Sequence, residues 1–181
     1  MTPLEPRASP GFLLWHTTLR WQRSIAAVLR PFDLTHVQFV LLASTWWLSR
    51  SGDRPNQIQA ARHAGTDIKM ASQVLRTLER KALIVREPDP VDTRAKRLKV
   101  TRKGGRLAVR AIAAVEAADA DFFAPVPSDA ALAVLTRLAQ GPKSSRRYTS
   151  DHVLPSVRAR MADHAARSRI RSPTSPGRSA N

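Results

Sequence analysis

The stretch DIKMASQVLRTLERKALIVREPDPVDTRAKRLKVTRKG, residues 67–104, changes the spacing of its apolar residues half-way along. Up to residue 83 they recur every three or four positions, which predicts an amphipathic helix. The side chains expected on its inner side are Ile68, Ala71, Val74, Leu75, Leu78 and Ala82. Beyond it, LIVREPD and RLKVT have strand character and flank PVDTRAK, and Leu98 and Val100 alternate with polar residues. The stretch therefore predicts a helix followed directly by a two-stranded hairpin.

A second helix precedes this one across a glycine turn. In NQIQAARHAG, residues 56–65, Asn56 is a suitable N-cap and Gly65 lies just past the expected end. Thr66 or Asp67 then caps the longer helix. Two helices joined by a short glycine-containing turn form the helix-turn-helix pattern, and a hairpin directly behind it has the form of a winged helix.

Further helices are expected on both sides. Residues 12–30 carry a broad apolar stripe that Pro31 ends, and LTHVQF opens the next helix with a capping box of Thr35 and Gln38. Thr101 caps a helix over residues 102–123, and a last helix covers residues 128–140. The predicted fold class is mainly α with a small β-hairpin wing. Residues 12–140 form this domain, between a flexible N-terminus (1–11) and a basic, mostly disordered tail (141–181).

Charge and composition narrow the classes of partner. The formal net charge is +16, which indicates a polyanionic partner, either nucleic acid or an anionic membrane surface. No window approaches the ~18 consecutive apolar residues of a membrane span, and the N-terminus does not resemble a secretory signal, so we expect a soluble, cytoplasmic protein. The chain has no cysteine, and none of its five histidines has a second plausible ligand at helical spacing. We therefore expect neither a metal nor a cofactor.

The outer side of the helix over residues 67–83 carries side chains suited to contact DNA bases. It carries Lys69, Ser72, Gln73, Arg76 and Arg80. In the major groove, arginine and lysine pair with guanine, glutamine with adenine, and serine with phosphate or either base. The plainer interpretation is that these residues are the solvated side of an amphipathic helix, with Glu79 as the counterweight on that face.

The predicted hairpin favours the DNA-binding interpretation. Arg94 lies near its tip, where a guanidinium can enter a narrow minor groove, and Lys96 and Arg97 can meet phosphates. Asp89 and Asp92 are anions and unsuited to DNA contact. Their expected role is to shape the turn and hold an arginine side chain in one orientation.

Two segments carry a family resemblance. LTHVQFVLL, and the run from ASQVLRTLERKAL to KVTRKG, resemble the MarR family of bacterial winged-helix transcription regulators, over about residues 12–140. The most specific match is the wing pattern of Asp89, Asp92, Arg94, Val100, Thr101 and Gly104. The resemblance implies that residues 67–83 are the recognition helix and that Arg94 is the minor-groove arginine. It also implies a homodimer formed by the first and last two helices, and a pseudo-palindromic operator in double-stranded DNA.

The chain departs from the usual family pattern in two places, at residue 82 and in the tail after Gly141. Family members usually have glycine where this chain has Ala82, and if the backbone there is left-handed, alanine costs about 1 kcal/mol. The basic tail after Gly141 is also atypical.

Many such regulators release DNA when a small aromatic molecule binds, and Trp15, Trp21 and Trp46 are candidates to line that pocket. Packing in the core or in a dimer interface explains the same tryptophans.

Two functions stay open at this stage. One is a sequence-specific transcriptional regulator, and the other is a non-specific or architectural nucleic-acid binder that uses the basic wing and tail. An enzyme is disfavoured because there is no glycine-rich phosphate loop and no nucleophile elbow. The carboxylates of Asp119 and Asp121, two positions apart on a helix, face different directions.

Overall fold

The structure, a computed structural model, describes residues 5–52, 54–89 and 96–141. In these ranges the chain forms α1 (Pro10–Leu29), α2 (His36–Leu48), α3 (Gln57–His63), α4 (Ile68–Arg80), β1 (Ile84–Pro88), β2 (Lys96–Val100), α5 (Arg102–Phe123) and α6 (Ser128–Gln140). Short 3-10 helices cover Pro6–Ala8, Arg30–Phe32 and Ser49–Ser51. The two strands pair antiparallel, with Ile84 opposite Val100 and Pro88 opposite Lys96. This confirms the predicted mainly α fold with a hairpin wing.

The helices begin where the capping residues predict. Thr35 Oγ1 accepts from Gln38 N at 3.3 Å while Gln38 Oε1 accepts from Thr35 N, so the expected capping box at the start of α2 is present. Asn56 caps α3 and Thr101 caps α5. Each cap satisfies amide groups that the first helical turn leaves without a partner. Helix α1 begins at Pro10, two residues before the predicted start.

The core lies between α1, α2, α4 and the wing. Its fully buried large side chains come from all of these elements and are Ile25, Leu29, Leu41, Leu42, Leu75, Leu78, Leu83, Ile84 and Leu98. Helix α5 packs along α1 and α2 through small side chains, Ala108 and Ala111 among them. Helix α6, by contrast, has no buried residue within this single chain. The core therefore holds α4 and the wing on one scaffold, and α6 contributes no buried residue to it.

The predicted C-terminal end of α4 was wrong, whereas Asp67, one of the two predicted caps, is confirmed as its N-cap. The helix covers Ile68–Arg80, not residues 67–83, because the chain leaves helical geometry at Lys81 and takes a left-handed backbone at Ala82 (φ 56°). Ala82 is consequently exposed instead of packed inward. Ile68 is also exposed, by 45%, because it lies in the first turn, before the helix reaches the core.

Several expectations fall outside the described residues. They concern Asp92 and Arg94 in the hairpin, and the basic tail beyond Gly141. Among the described residues, no single helix combines the length and apolar character needed to cross a bilayer. The segment from α1 to Phe32 passes that test only when joined to α2 across a 71° bend, by length and composition alone.

Candidate nucleic-acid interface

Helix α4 is held with one side in the core and the other in solvent. The Asp67 side chain accepts from the amides of Lys69 (2.8 Å) and Met70 (3.1 Å), which sets the direction of the first turn. Ala71 and Leu75 are buried against neighbouring helices, since α4 packs on both α2 and α3. The inner side of α4 is thus anchored from Ala71 to Leu78.

The opposite side carries the predicted polar residues. Lys69, Gln73, Arg76 and Arg80 are exposed, and Ser72 is half-buried. Arg80 also donates to Thr77 Oγ1 at 3.1 Å, one turn earlier on the same helix. The structure therefore brings the five predicted residues of α4 onto one solvated surface, with Ser72 at its edge. We call this set the reading face.

The C-terminal end of α4 is tied to the corner between α1 and α2. The Lys81 ammonium lies 3.0 Å from Asp33 Oδ2 and donates to Gln38 Oε1 at 3.2 Å. It also donates to the Asp33 backbone carbonyl. Lys103 of α5 in turn donates to the Lys81 carbonyl at 3.1 Å. The end of α4 is thereby connected to the α1–α2 corner, to α2 and to α5.

Glu79 connects α4 to the wing. Its carboxylate accepts from the backbone amide of Arg86 at 3.2 Å and from the Arg86 Nε at 2.9 Å. The prediction that Glu79 offsets the positive charge of the reading face therefore needs correction, because its partner is an arginine of β1. The contact instead holds β1 against the C-terminal end of α4.

The outer part of the wing is braced by two more ion pairs. Arg97 Nε donates to Asp89 Oδ2 at 2.7 Å, and Asp89 is only 8% exposed, so this carboxylate holds an arginine side chain from the paired strand. Arg54 donates to Glu87 at 2.5 Å. Lys96, at the outer end of β2, is exposed. Of the predicted wing residues, Asp89, Lys96 and Arg97 thus lie at the outer end of the paired strands.

The turn from α4 into the wing explains why the family's wing pattern has threonine at position 101 and glycine three residues later, at position 104. Thr101 Oγ1 donates to the Ala82 carbonyl at 2.8 Å and accepts from Gly104 N at 2.9 Å. A Cβ added at Gly104 would lie 1.9 Å from the Leu83 carbonyl oxygen, so only glycine permits this approach. The motif therefore locks the start of α5 against the point where β1 begins.

Comparison with known proteins gives the same architecture. The chain matches the ArnR1-like winged-helix domain family over residues 31–117. YdcH, an HTH-type transcriptional regulator of Bacillus subtilis strain 168, is 45% identical over 119 residues, covering 66% of this chain and 81% of that protein. A solved MarR-family regulator from Rhodococcus sp. RHA1 has a TM-score of 0.63 at 26% identity, over 72% of this chain and 89% of that one. The chain belongs to the MarR family of winged-helix transcriptional regulators.

A DNA complex is among the similar structures of this MarR-family chain. The repressor CouR of Rhodococcus jostii RHA1, solved bound to a 23-mer DNA duplex, has a TM-score of 0.65 at 26% identity. The similarity covers 77% of this chain and 98% of CouR.

The structure does not bring the three predicted pocket tryptophans of this MarR-family chain together. Trp21 Nε1 donates to Asp119 Oδ1 at 2.7 Å, near the end of α5. Trp46 lies near the start of α5, where a Cβ added at Gly105 would be 3.8 Å from Trp46 Cδ1. Fourteen helical residues separate those two points, about 21 Å. Trp15, 61% exposed, lies towards the start of α1. The tryptophans therefore contribute to separate surfaces.

Two titratable groups meet beside Trp21. Burial raises the pKa of Asp119, an effect that the Trp21 hydrogen bond and nearby His36 oppose and Glu116 reinforces. Burial lowers the pKa of His36 below its ordinary value of 6.5, and Asp119 opposes that change. The ring of His36 packs edge-on against Trp21 with centroids 5.0 Å apart. Within the described ranges, no group of three or more histidines and carboxylates could hold a metal ion.

Sequence reasoning missed the residues that orient the reading face of this MarR-family regulator. Lys81 lies 48 positions from Asp33, and Arg86 meets Glu79 only because the chain reverses at Ala82. No local pattern indicates either contact. The one signal available was the family's usual glycine at position 82, which indicated that the turn has a defined geometry.

Proposed function

We propose that this MarR-family chain is a cytoplasmic, sequence-specific regulator that binds a pseudo-palindromic DNA operator as a homodimer. The observation that carries the proposal is the reading face, whose exposed Lys69, Gln73 and Arg76 lie opposite a side that Ala71, Leu75 and Leu78 anchor in the core. Arginine matches the acceptors of guanine in the major groove, and glutamine matches adenine. Gln73 matters most here, because a purely electrostatic binder gains little from an amide.

The wing is proposed to contact the DNA backbone and the minor groove. Lys96 is exposed at the end of β2 and can neutralise a phosphate. Asp89, through its ion pair with Arg97, supports the outer end of the paired strands. The assignment of Arg94 to the minor groove rests on the family's wing pattern. The likeness to CouR, which has been solved bound to a DNA duplex, supports double-stranded DNA as the partner.

Homodimer formation is supported by apolar side chains at the two ends of the domain. Helix α6 exposes Val134, Leu135 and Leu138, the last by 62%. The first turns of α1 expose Phe12, Leu13, Leu14 and Trp15. Exposed apolar surface of this size marks an interaction site, and a second copy supplies the same surfaces in return. In such a dimer two reading faces lie about one helical turn of DNA apart.

Release by a small aromatic ligand is a further part of the proposal. CouR has also been solved with p-coumaroyl-CoA. In this chain the tryptophans offer separate places for an aromatic ring, among them the surroundings of Trp21 on α1, next to Asp119, and of Trp46 on α2, next to Gly105.

A second candidate is non-specific binding driven by the net charge of +16. Selection of duplexes from a random library by the full chain separates the two, since only a sequence-specific regulator enriches a palindromic consensus. On that consensus, Arg76→Ala is expected to weaken binding by about 1–3 kcal/mol and to leave binding to random DNA almost unchanged. Arg23→Ala, an exposed arginine of α1, is the control for the lost charge. Equal losses on both DNAs would remove the claim of specificity, and sedimentation of the free protein should give the mass of two chains.

A further inference from the structure

Two large apolar side chains stand in solvent on the helix that carries the reading face. Ile68 is 45% exposed and Met70 is 42% exposed, in the first turn of α4. Most other exposed large apolar residues among the described ones lie at the start of α1 or on and just before α6, the surfaces proposed for the homodimer. Ile68 and Met70 lie on neither of these surfaces.

Their neighbours on α4 show what kind of surface they border. Lys69 lies between them in sequence and points outward. Met70 precedes Gln73 by three positions and Ile68 precedes Ser72 by four, so each apolar side chain lies one turn before a polar residue of the reading face. The Asp67 cap holds both Lys69 and Met70 by their amides and thereby fixes this turn. Ile68 and Met70 are two positions apart, so they lie on opposite edges of the reading face in the first turn, with the cationic Lys69 between them.

Double-stranded DNA offers the matching chemistry within one groove. In helix-turn-helix complexes the N-terminal residues of the recognition helix meet base edges. The thymine C5-methyl is the apolar group exposed on base edges in the major groove, next to the acceptors and donors that arginine and glutamine read. An A·T pair presents that methyl beside the adenine atoms suited to Gln73.

We propose that Ile68 and Met70 contact thymine C5-methyl groups and so make thymine a required base in each operator half-site. This inference rests on the proposed function, because it assumes that α4 enters the major groove. It adds a readout that hydrogen-bonding residues cannot supply, since uracil and thymine have the same hydrogen-bonding groups and differ only in the methyl.

The test compares two versions of the consensus duplex selected by the full-length protein. In one version every thymine is replaced by deoxyuridine, which removes the methyl groups and keeps all base pairs. Burying one methyl corresponds to about fourfold in affinity, hence about 15-fold for one methyl in each of two half-sites. Wild-type protein is therefore expected to bind the uracil duplex about 15-fold more weakly.

The variant Ile68→Ala/Met70→Ala identifies the side chains responsible. It is expected to bind the thymine duplex about as weakly as wild type binds the uracil duplex, and to bind both duplexes equally. Both side chains are substantially exposed, and matching thermal unfolding curves would confirm that the variant folds. Arg76→Ala is the matched control on the same helix. It should weaken binding to both duplexes by one factor and keep the methyl preference.

Equal binding of the two duplexes by wild type would overturn the inference, as would a consensus without thymine. A methyl preference that survives in the double variant would also overturn it, since the preference would then reflect DNA shape or another residue. Each of these outcomes leaves the proposed function intact. That function fails separately, when no consensus is selected at all.

Discussion

Replacing Ala82 with glycine should stabilise this protein, although the change removes atoms and adds no contact. Ala82 has a φ of 56°, in the left-handed region, and lies two residues past the end of α4. Its amide donates to the Glu79 carbonyl at 2.8 Å and the next amide, of Leu83, donates to Leu78 at 3.0 Å. These two hydrogen bonds define a Schellman motif, in which this position is usually glycine.

The magnitude follows from two opposing terms. A left-handed backbone costs an alanine roughly 1–2 kcal/mol, because its Cβ crowds the following carbonyl oxygen. Glycine loses more conformational freedom on folding than alanine does. This entropic cost offsets about 0.5–1 kcal/mol of the stabilisation gained by relieving the strain. The Ala82 methyl is exposed, so its removal uncovers no buried surface and leaves no cavity. We expect the free energy of unfolding to rise by about 1 kcal/mol and Tm by about 3 °C.

Urea denaturation and thermal unfolding of the full chain measure both quantities. Ala113→Gly is the matched control, since Ala113 is exposed inside α5 with helical geometry, and the same chemical change there should destabilise by about 1 kcal/mol. If Ala82→Gly destabilised the protein as much as the control does, the left-handed backbone at residue 82 would not be the source of strain.

Three further predictions concern Gly104, Glu79 and His36, and Gly105 serves as a control for the first. Gly104→Ala should lower the free energy of unfolding by about 3 kcal/mol in urea, because the added Cβ would lie 1.9 Å from a backbone carbonyl oxygen. Gly105→Ala, whose nearest neighbour would be at 3.8 Å, should be tolerated or stabilise by up to about 1 kcal/mol, and equal losses at the two glycines would contradict the contact. Glu79→Gln should cost about 1 kcal/mol by weakening the hydrogen bonds to Arg86, and a urea midpoint equal to that of wild type would show that the wing does not depend on them. Since burial lowers the pKa of His36 below 6.5, the unfolded chain takes up its proton first, and stability should fall as the pH drops from 6.5 towards the lowered value. Tm measured at about pH 7.5 and at about pH 5.5 should therefore fall less in His36→Gln than in wild type, and equal falls would exclude this contribution.

Local signals explain most of what could be predicted about the fold. The capping box of Thr35 and Gln38, the Asn56 cap and the Thr101 cap involve residues three apart, so their geometry follows from the chain itself. The apolar spacing correctly predicted α5 and α6 to the residue. It was wrong for Ile68 and Ala82, because spacing shows which side of a helix is apolar but not where the helix leaves the core.

Part of the candidate interface could likewise be predicted from residue types. Lys69, Gln73 and Arg76 lie together on one exposed side because helical spacing places them there. Their orientation towards the wing could not be predicted, since it depends on the contacts of Lys81 with the α1–α2 corner and of Glu79 with Arg86.

The sequence by itself determined the order of the elements, the residues that start the helices and the chemistry of the reading face. These are properties of neighbours within one helical turn or one strand, and they do not need the rest of the molecule. Only the tertiary structure decided that the three tryptophans lie apart, that Ala82 is left-handed and that Ile68 and Met70 remain in solvent. Each of these depends on how distant segments pack, because a side chain is buried or exposed only relative to the surfaces that reach it.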